Sequence, residues 1–231
     1  MGCVVGSAPW CAAFVLSPLQ RHILGVVGEL PEASRFALAG GAALILRGTV
    51  ERGTNDLDLF IGAREMAPGA ILRVVEATET ALAAAGMTVT RDAMSETFAR
   101  LTVAGRDEGC RIDFAADVRI REPDTEGSTA IVSLEELAAD KVLALFGRAA
   151  ARDFQDVAEL RRHFSWEELF ALATEKDAGF SRERFLEAVA AFDRLDRDEF
   201  ELSATDYRQL RDEVHSWPLQ IGHRRGPRRG R

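Results

Sequence analysis

Two adjacent glycines, placed directly after a short apolar segment, constrain this fold more than any other feature. Residues 36–39 (FALA) are typical of a short buried strand, and Gly40-Gly41 follow them without a spacer. Glycine adopts backbone angles that other residues avoid, and its missing Cβ allows another group to approach the chain closely. We therefore predict a sharp turn into a helix at 42–47. Backbone amides at such a turn bind phosphate.

A pair of carboxylates follows about fifteen residues later, in the segment DLDLFI at 56–61. Its strict alternation predicts a strand, in which residues two apart share a face. Asp56 and Asp58 then project together, whereas the leucines between them face the core. Two carboxylates this close repel each other unless a cation lies beside them. Hard oxygen ligands favour Mg²⁺, with Mn²⁺ as the alternative, bound together with substrate phosphates.

A third carboxylate is available in the alternating segment Arg111–Phe114 (RIDF). Asp113 points away from the side on which its apolar neighbours Ile112 and Phe114 lie, so it is the best candidate to complete the metal site. The competing interpretation is that Asp56 and Asp58 are solvent-facing residues on an edge strand, because two alternating aspartates occur by chance in many proteins. The preceding glycine turn favours the metal site.

The rest of the chain divides into a mixed half and a helical half. Ser17-Pro18 predicts the start of a helix that ends near Leu30, and Pro68 opens a second helix that ends before Gly86. Further strands are predicted at 87–92, 97–105 and 110–117, the last two joined by a hairpin-like turn. Capping boxes at Ser133 and Ser165 precede predicted helices at 134–146, 152–163, 166–176, 182–195 and 204–215.

These elements predict an α+β fold, with an N-terminal mixed sheet and flanking helices followed by a C-terminal helical bundle. We expect an α/β domain at 17–130 and a helical domain at 131–217, with flexible tails at 1–16 and 218–231.

The composition indicates the cellular compartment of the protein and the kinds of partner that it binds. The net charge of −8 argues against indiscriminate nucleic-acid binding, although the last ten residues carry five arginines. The three cysteines form no disulfide framework, which suits a cytoplasmic protein. The apolar start lacks basic residues for a signal peptide and is too short to span a bilayer, so we expect no membrane partner.

Two sequence blocks resemble a known family. The first is Gly40–Leu44 (GGAAL), with Arg47 and then Arg52–Leu59 (RGTNDLDL); the second is Lys141, Arg148 and Arg152–Val157 (RDFQDV). Together they look like the signature of the AbiEii/AbiGii nucleotidyltransferase toxins, within the DNA polymerase β-like nucleotidyltransferase superfamily. The resemblance covers roughly residues 20–165 and implies a nucleotidyltransferase-like sheet in the N-terminal half.

The resemblance also implies roles for individual residues. Gly40 and Gly41 would hold the triphosphate. Asp56, Asp58 and Asp113 would be catalytic and hold Mg²⁺, with Asp113 orienting or deprotonating the acceptor hydroxyl. Lys141 would neutralise phosphate charge, and Asp156 would arrange the nucleotide or acceptor site. Further nucleotide contacts would come from Arg52, Thr54, Arg148 and Arg152, and the Thr54 hydroxyl would be a modification target.

Several of these residues also have a plainer interpretation. Lys141 would suit a solvated helix face, and Arg152-Asp153 would suit an ion pair at a helix start, worth little at a surface. Arg47 and Arg52 would suit ordinary charged loop positions.

The implied activity is metal-dependent transfer of NMP from an NTP to an acceptor hydroxyl, at the 3′ end of tRNA. The protein would then be the growth-inhibiting toxin of a toxin–antitoxin pair that acts in abortive infection, with a cognate antitoxin. The alternatives are a nucleotidyltransferase that modifies a small molecule such as an antibiotic, one that modifies a protein hydroxyl, and an inactive nucleotide-binding module.

Overall fold

The computed structural model describes residues 16–105, 108–126 and 129–222. Most of the predicted N-terminal tail and the last nine residues lie outside this range, as do Arg106 and Asp107 of the predicted hairpin turn. Contacts divide the chain into two compact units. The first contains residues up to 117 and 125–131, and the second contains 118–124 and everything from 132 onward.

The first unit is built on a seven-stranded sheet with the order β3-β4-β5-β2-β1-β7-β6. The strands are β1 Ala37–Ala39, β2 Asp56–Gly62, β3 Thr88–Met94, β4 Phe98–Ala104, β5 Gly109–Asp117, β6 Asp124–Glu126 and β7 Thr129–Ile131. The sheet is mixed: β2 runs parallel to β5 and antiparallel to β1, and β1 runs parallel to β7. The predicted mixed sheet is therefore confirmed. β6 and β7 went unpredicted because three residues are too few to show a period.

Three α-helices accompany the sheet: α1 Pro18–Gly28, α2 Gly40–Leu46 and α3 Ala70–Ala84. α1 begins as predicted at Ser17, whose side chain accepts from the Gln20 amide while the Gln20 side chain accepts from the Ser17 amide. α3 contacts β3, β4 and β5, and α1 contacts α3 and β5. These helices and the inward-facing strand residues share one apolar core, in which Leu57, Ile112 and Phe114 are fully buried.

The second unit is helical, which confirms the predicted C-terminal half. Its α-helices are α4 Leu134–Arg148, α5 Ala151–Leu160, α6 Trp166–Lys176, α7 Arg182–Val189 and α8 Ala204–Gly222. α4 packs against α5, α6 and α7, and α5 packs against α8. Aromatic rings fill the space between them. The ring centroids of Trp166 and Trp217 lie 5.2 Å apart in an edge-to-face contact, and those of Phe154 and Phe192 lie 5.1 Å apart in a contact of the same kind.

Two helix ends differ from the sequence prediction by more than the others. The predicted helix at 182–195 ends at Val189 and continues only as a 3-10 turn at Phe192–Arg194. α8 runs to Gly222 although Pro218 lies inside it. An interior proline costs about 3 kcal/mol. Burial of Trp217 and Ile221 on either side of it offsets that cost. Throughout the described ranges, every helix is too short or too polar to cross a lipid bilayer.

Glu136 holds a buried ionic cluster in the second unit. The Ser133 side chain caps α4 by accepting from the Glu136 amide at 3.1 Å. The Glu136 carboxylate does not complete the predicted capping box, because it accepts from the Ile120 and Arg121 amides at 2.9 and 3.0 Å. Its other oxygen receives the Lys176 ammonium at 2.5 Å, and both side chains are 5% exposed or less. Asp140 also contacts this ammonium.

The cluster predicts a large difference between two neighbouring glutamates. Replacing Glu136 by glutamine removes one of the two carboxylates that contact the buried Lys176 ammonium, which should lower the free energy of unfolding by about 3 kcal/mol. Glu135 lies in the same first turn of α4 but is exposed. Glu135→Gln should cost about 0.5 kcal/mol, through the helix dipole alone. Urea denaturation monitored by circular dichroism measures both changes. Equal losses would contradict the structural role of Glu136.

Candidate active site

One face of the sheet carries a row of ionised side chains at its centre. The register places Ala39 of β1 opposite Asp58 of β2, Asp58 opposite Asp113 of β5, and Asp113 opposite Arg100 of β4. Side chains that are opposite in register share a face. Asp58, Asp113 and Arg100 therefore form one line across three adjacent strands.

A second polar line lies next to the first, two residues away along the strands. It places Asp56 of β2 opposite Arg111 of β5, and Arg111 opposite Thr102 of β4. The leucines that alternate with the two aspartates of β2 are buried on the opposite face. The predicted strand at 56–61, with its aspartates on one side and its leucines in the core, is therefore confirmed.

Two arginines bind two of the predicted catalytic carboxylates. Arg100 donates from Nε and Nη2 to the two oxygens of Asp113 at 2.8 and 2.6 Å, a bidentate contact. Arg111 donates from Nη2 to Asp56 Oδ2 at 2.6 Å. The arginine side chains are 39% and 40% exposed, whereas Asp113 and Asp56 are 12% and 18% exposed. Each carboxylate is thus held between the sheet and a guanidinium on the solvent side.

The electrostatics of Arg100 show that the three carboxylates act on a common region. Its hydrogen bond to Asp113 raises the pKa of Arg100 above its usual value, more than partial burial lowers it. The charges of Asp113, Asp56 and Asp58 raise that pKa further, in this order. All three negative charges therefore stabilise the charged form of one guanidinium.

Gly40 directly follows Ala39, at the β1 end of the carboxylates Asp56, Asp58 and Asp113, which we call the acidic row. Its φ of 62° lies in the left-handed region, which glycine adopts without strain. A Cβ at this position would lie 1.7 Å from Asp58 Oδ2, closer than any contact allows. The Asp58 carboxylate therefore rests directly on the backbone of the turn. The group that approaches Gly40 in the structure is thus a side chain of the protein itself, and the approach of a triphosphate to the diglycine stays a prediction.

Gly41 is covered by polar groups from the loop before β2. A Cβ on Gly41 would lie 3.0 Å from an Arg52 guanidinium nitrogen and 3.3 Å from Thr54 Oγ1. Buried Gln20 of α1 anchors this loop by donating to the Thr54 carbonyl at 2.8 Å. α2 has only seven residues, so its dipole is weak, and the positive charge at the turn comes mainly from Arg52.

The acidic residues offer the oxygen donors that a divalent cation such as Mg²⁺ prefers, although the oxygens of Asp56, Asp58 and Asp113 do not all lie within 4.8 Å of one another. They offer only carboxylate oxygens, on adjacent strands, and two of them already bind cationic groups. Guanidinium nitrogens here supply the positive charge that a metal ion would otherwise supply. Mg²⁺ takes one or two carboxylates together with substrate phosphates and water, which matches this donor set. Asp56, Asp58 and Asp113 remain the predicted ligands.

Lys141 and Asp156, predicted to be catalytic, form a buried ion pair within the second unit. Lys141 of α4 contacts Asp156 Oδ2 of α5 at 2.9 Å, and the side chains are 8% and 0% exposed. Lys141 therefore does not lie on a solvated helix face. The pair connects two consecutive helices, and its catalytic role remains a prediction.

Arg148 and Arg152, predicted to contact the nucleotide, differ in their surroundings. Arg148 donates to both oxygens of Asp153 at 2.9 and 2.8 Å, and fully buried Asp153 also accepts from the Ala150 amide. This clasp closes the turn between α4 and α5, where Ala149 has a left-handed φ of 48°. Arg152 lies exposed on the first turn of α5.

Three residues near the site were missed at the sequence level. Arg100 and Arg111 follow the same period of two as Asp113, so counting the hairpin register would have placed them beside the acids. Gln20 was predicted only as part of a helix, and no local pattern signals its bond to the distant Thr54 carbonyl.

The fold resembles that of several solved structures of nucleotidyltransferases. It is similar to a putative nucleotidyltransferase from Helicobacter pylori and to the H. pylori protein JHP933, each with a TM-score of 0.52 and 18% identity. These matches cover 89% of this chain and 95% and 97% of the two proteins. The toxin MenT4 from Mycobacterium tuberculosis, a nucleotidyltransferase, has a TM-score of 0.52 and 19% identity, covering 88% of this chain and 90% of its own.

Residues 23–219 match the family described as the nucleotidyl transferase AbiEii toxin of type IV toxin–antitoxin systems. Because the match spans most of the sequence, the chain belongs to this family, which confirms the resemblance found in the two sequence blocks. It is a nucleotidyltransferase and the toxin component of a toxin–antitoxin system. No curated protein is similar enough to this chain to count as a match.

The glycine turn predicts different costs for two alanine substitutions. Gly40 and Gly48 have nearly the same left-handed φ, 62° and 65°, but nothing lies within 4 Å of a Cβ on Gly48. Gly48→Ala should therefore cost only the backbone strain, about 1 kcal/mol of unfolding free energy. Gly40→Ala adds the clash with Asp58 and should cost at least about 2 kcal/mol more. Thermal denaturation measures both, and equal costs would contradict the close approach.

The Lys141–Asp156 pair predicts non-additive substitutions. Asp156→Leu alone leaves a buried ammonium uncompensated and should cost about 3–5 kcal/mol of unfolding free energy. Lys141→Met together with Asp156→Leu should recover much of that loss, since neither charge remains. Arg162→Met, which breaks the exposed pair with Glu159, is the control and should cost less than about 1 kcal/mol. A double variant as unstable as Asp156→Leu in urea denaturation would contradict this account.

Proposed function

We propose that this nucleotidyltransferase moves NMP from an NTP to the 3′ end of tRNA and inhibits growth until a cognate antitoxin neutralises it. One observation carries the proposal: Asp58 and Asp113 lie side by side in one row, and the row ends at the Gly40 turn. Nucleotide transfer needs carboxylates and a phosphate-binding turn next to each other, because one group of charges must serve both the metal and the triphosphate.

The nucleotide side of the site is the turn at Gly40 and Gly41. We place the β- and γ-phosphates there because backbone amides at a glycine turn bind phosphate, and the Asp58 carboxylate that lies against Gly40 would have to move aside for them. Arg52 lies over Gly41 and supplies positive charge, and the Thr54 hydroxyl next to it supplies a donor. A phosphate group on Thr54 would repel the nucleotide, so modification of this hydroxyl would switch the enzyme off.

The carboxylate side would hold the metal and the acceptor. Asp56, Asp58 and Asp113 would hold Mg²⁺ or Mn²⁺, which when bound neutralises phosphate charge and polarises the reacting oxygens. Asp113 orients the acceptor hydroxyl or accepts its proton. The hydroxyl oxygen forms the new bond to the α-phosphorus while the bond to pyrophosphate breaks, in line with it. Placement and charge neutralisation by the protein's own residues supply most of the acceleration.

We also propose roles for four residues of the second unit. Lys141 neutralises phosphate charge while it remains paired with Asp156, which positions it. An ammonium has three donors, so the contact with Asp156 leaves others for a phosphate oxygen. Arg152, exposed on α5, offers a further phosphate contact, as does Arg148 from its clasp with Asp153.

The acceptor is the finer part of the proposal and rests on the family to which the chain belongs. tRNA is the acceptor implied by the resemblance to toxins that modify its 3′ end. A small molecule such as an antibiotic and a protein hydroxyl are the alternatives. Incubation of the purified protein with each α-labelled NTP, total tRNA and cell extract separates them. Label in RNA supports the proposal, whereas label only in protein or in a small molecule contradicts the tRNA acceptor. No transfer under any condition would favour an inactive nucleotide-binding module.

Replacing Asp58 tests the acidic row. Asp58→Asn keeps the shape but removes the charge, and should lower NMP transfer at least about a hundredfold, because a metal-bound charge is worth several kcal/mol in the transition state. Asp92→Asn is the matched control. Asp92 belongs to edge strand β3 and accepts from the Thr102 hydroxyl at 2.6 Å, and two strands separate β3 from the strand of Asp58.

The Asp92 variant should keep transfer within about twofold of the unmodified protein, since it removes no charge from the acidic row. Initial rates with labelled NTP and tRNA give both values, with circular dichroism to confirm folding. Full activity of a folded Asp58→Asn variant would contradict the site. Equal losses in both variants would show that the effect is only general charge.

A further inference from the structure

We propose that Arg100 and Arg111 are internal counter-ions that compete with the divalent cation for the acidic row, so that the two arginines set how tightly the site binds metal. The inference rests on the proposed function, because it takes Asp56, Asp58 and Asp113 as the metal ligands. It adds two residues to the site and assigns them a role that is distinct from catalysis.

The geometry of Arg100 makes it a direct competitor. Its Nε and Nη2 occupy both oxygens of Asp113 at 2.8 and 2.6 Å. A bidentate guanidinium covers the same lone pairs that a metal ion would take. Asp113 can therefore bind a cation in place of Arg100, or share one oxygen at the expense of one hydrogen bond. In both cases the free energy of metal binding must compensate for the loss of one or both hydrogen bonds between Arg100 and Asp113.

Arg111 makes a weaker clasp on Asp56. It contacts only one oxygen, Oδ2, at 2.6 Å. Its buried Nε finds no hydrogen-bond partner within the described part of the chain. A buried donor without a partner costs free energy, so this arrangement is less favourable than the fully bonded one at Arg100. Arg100 is thus the stronger competitor and Arg111 the weaker one.

Both guanidiniums are able to leave without disturbing the core. Their side chains are 39% and 40% exposed, on the polar face of the sheet, while the helices α1 and α3 accompany the apolar core. A long side chain at such a position changes rotamer without creating a cavity. The cost of release is therefore the lost ion pair, moderated by solvent, together with the contact of Arg100 with the Phe98 ring.

Thermodynamic linkage between the arginine ion pairs and metal binding gives the direction in which the arginines change the metal affinity. Any interaction that stabilises only the metal-free protein reduces the apparent metal affinity by the same free energy. The arginines also relieve repulsion among the three carboxylates in the absence of metal. Removing Arg100 should therefore tighten metal binding and destabilise the metal-free protein at the same time. A residue that merely supports the fold would produce only the second effect.

The chain offers a closely matched control for Arg100. Arg91 of β3 makes the same bidentate contact with Glu79 of α3, at 2.9 and 2.6 Å, and its side chain is 34% exposed. Its register partner is the buried Leu101, so Arg91 lies on the opposite face from the acidic row. Arg91→Met removes an equivalent ion pair far from the predicted metal ligands.

The experiment is calorimetric titration of the full chain with Mn²⁺ in the absence of nucleotide, for the unmodified protein, Arg100→Met and Arg91→Met. Arg100→Met should bind Mn²⁺ on the order of tenfold more tightly, the affinity change that corresponds to about 1.4 kcal/mol. Arg91→Met should bind it with unchanged affinity. In parallel, metal-free Arg100→Met should have a lower Tm, and saturating Mn²⁺ should raise that Tm by more than in the unmodified protein.

Unchanged or weaker Mn²⁺ binding by a folded Arg100→Met variant overturns the proposal, since it would show that Arg100 does not compete or that it helps to form the site. If Arg100→Met does not fold, Arg111→Met is measured instead, with a smaller tightening expected, and unchanged binding there also overturns the proposal. Failure of the metal site itself has a different signature: the unmodified protein and its Asp58→Asn variant would then take up Mn²⁺ equally or not at all.

Discussion

The balance between three carboxylates and their cations on one sheet face is the constraint on which the rest of this structure depends. Asp56, Asp58 and Asp113 lie on two adjacent strands, where like charges repel and destabilise the fold. Arg100 of β4 and Arg111 of β5 reduce this repulsion by forming ion pairs with Asp113 and Asp56. The hairpin of β4 and β5 is therefore more than a scaffold, because it carries the positive charge that allows the sheet to fold with an acidic centre.

The same face explains the diglycine turn. β1 has only three residues, and it ends where Asp58 needs room. A side chain on Gly40 would occupy the position of the Asp58 carboxylate, and a right-handed φ would turn the chain elsewhere. A structural need and a functional need thus coincide at one residue. The turn that admits the carboxylate is also the turn on which we place the triphosphate.

Much of the site could be predicted from the sequence, because the period of two in a strand is strict. It fixed the shared face of Asp56 and Asp58, and it assigned Asp113 to a neighbouring strand. Arg100 follows the same alternation on β4, but its position beside Asp113 depends on the register of the β4–β5 hairpin, which the alternation within one strand does not give. Glu136 could not have been predicted, since its partners are amides of a distant segment and a lysine forty residues away. Tertiary contacts of this kind leave no local pattern.

The choice between lysine and arginine follows burial in this chain. Of 29 basic residues only Lys141 and Lys176 are lysines, and both lie buried against acids. A compact ammonium fits between packed helices, whereas the broad guanidinium suits the solvent-facing side of the acidic row. Because the two lysines are buried and the two arginines are partly exposed, the arginine side chains are freer to move. Arg100 is able to leave Asp113 at moderate cost in partly exposed surroundings, but withdrawing Lys141 from fully buried Asp156 would strand a charge at a cost of several kcal/mol. If Lys141 serves the reaction, it serves it from a fixed position, and the adjustable charges of the enzyme are its arginines.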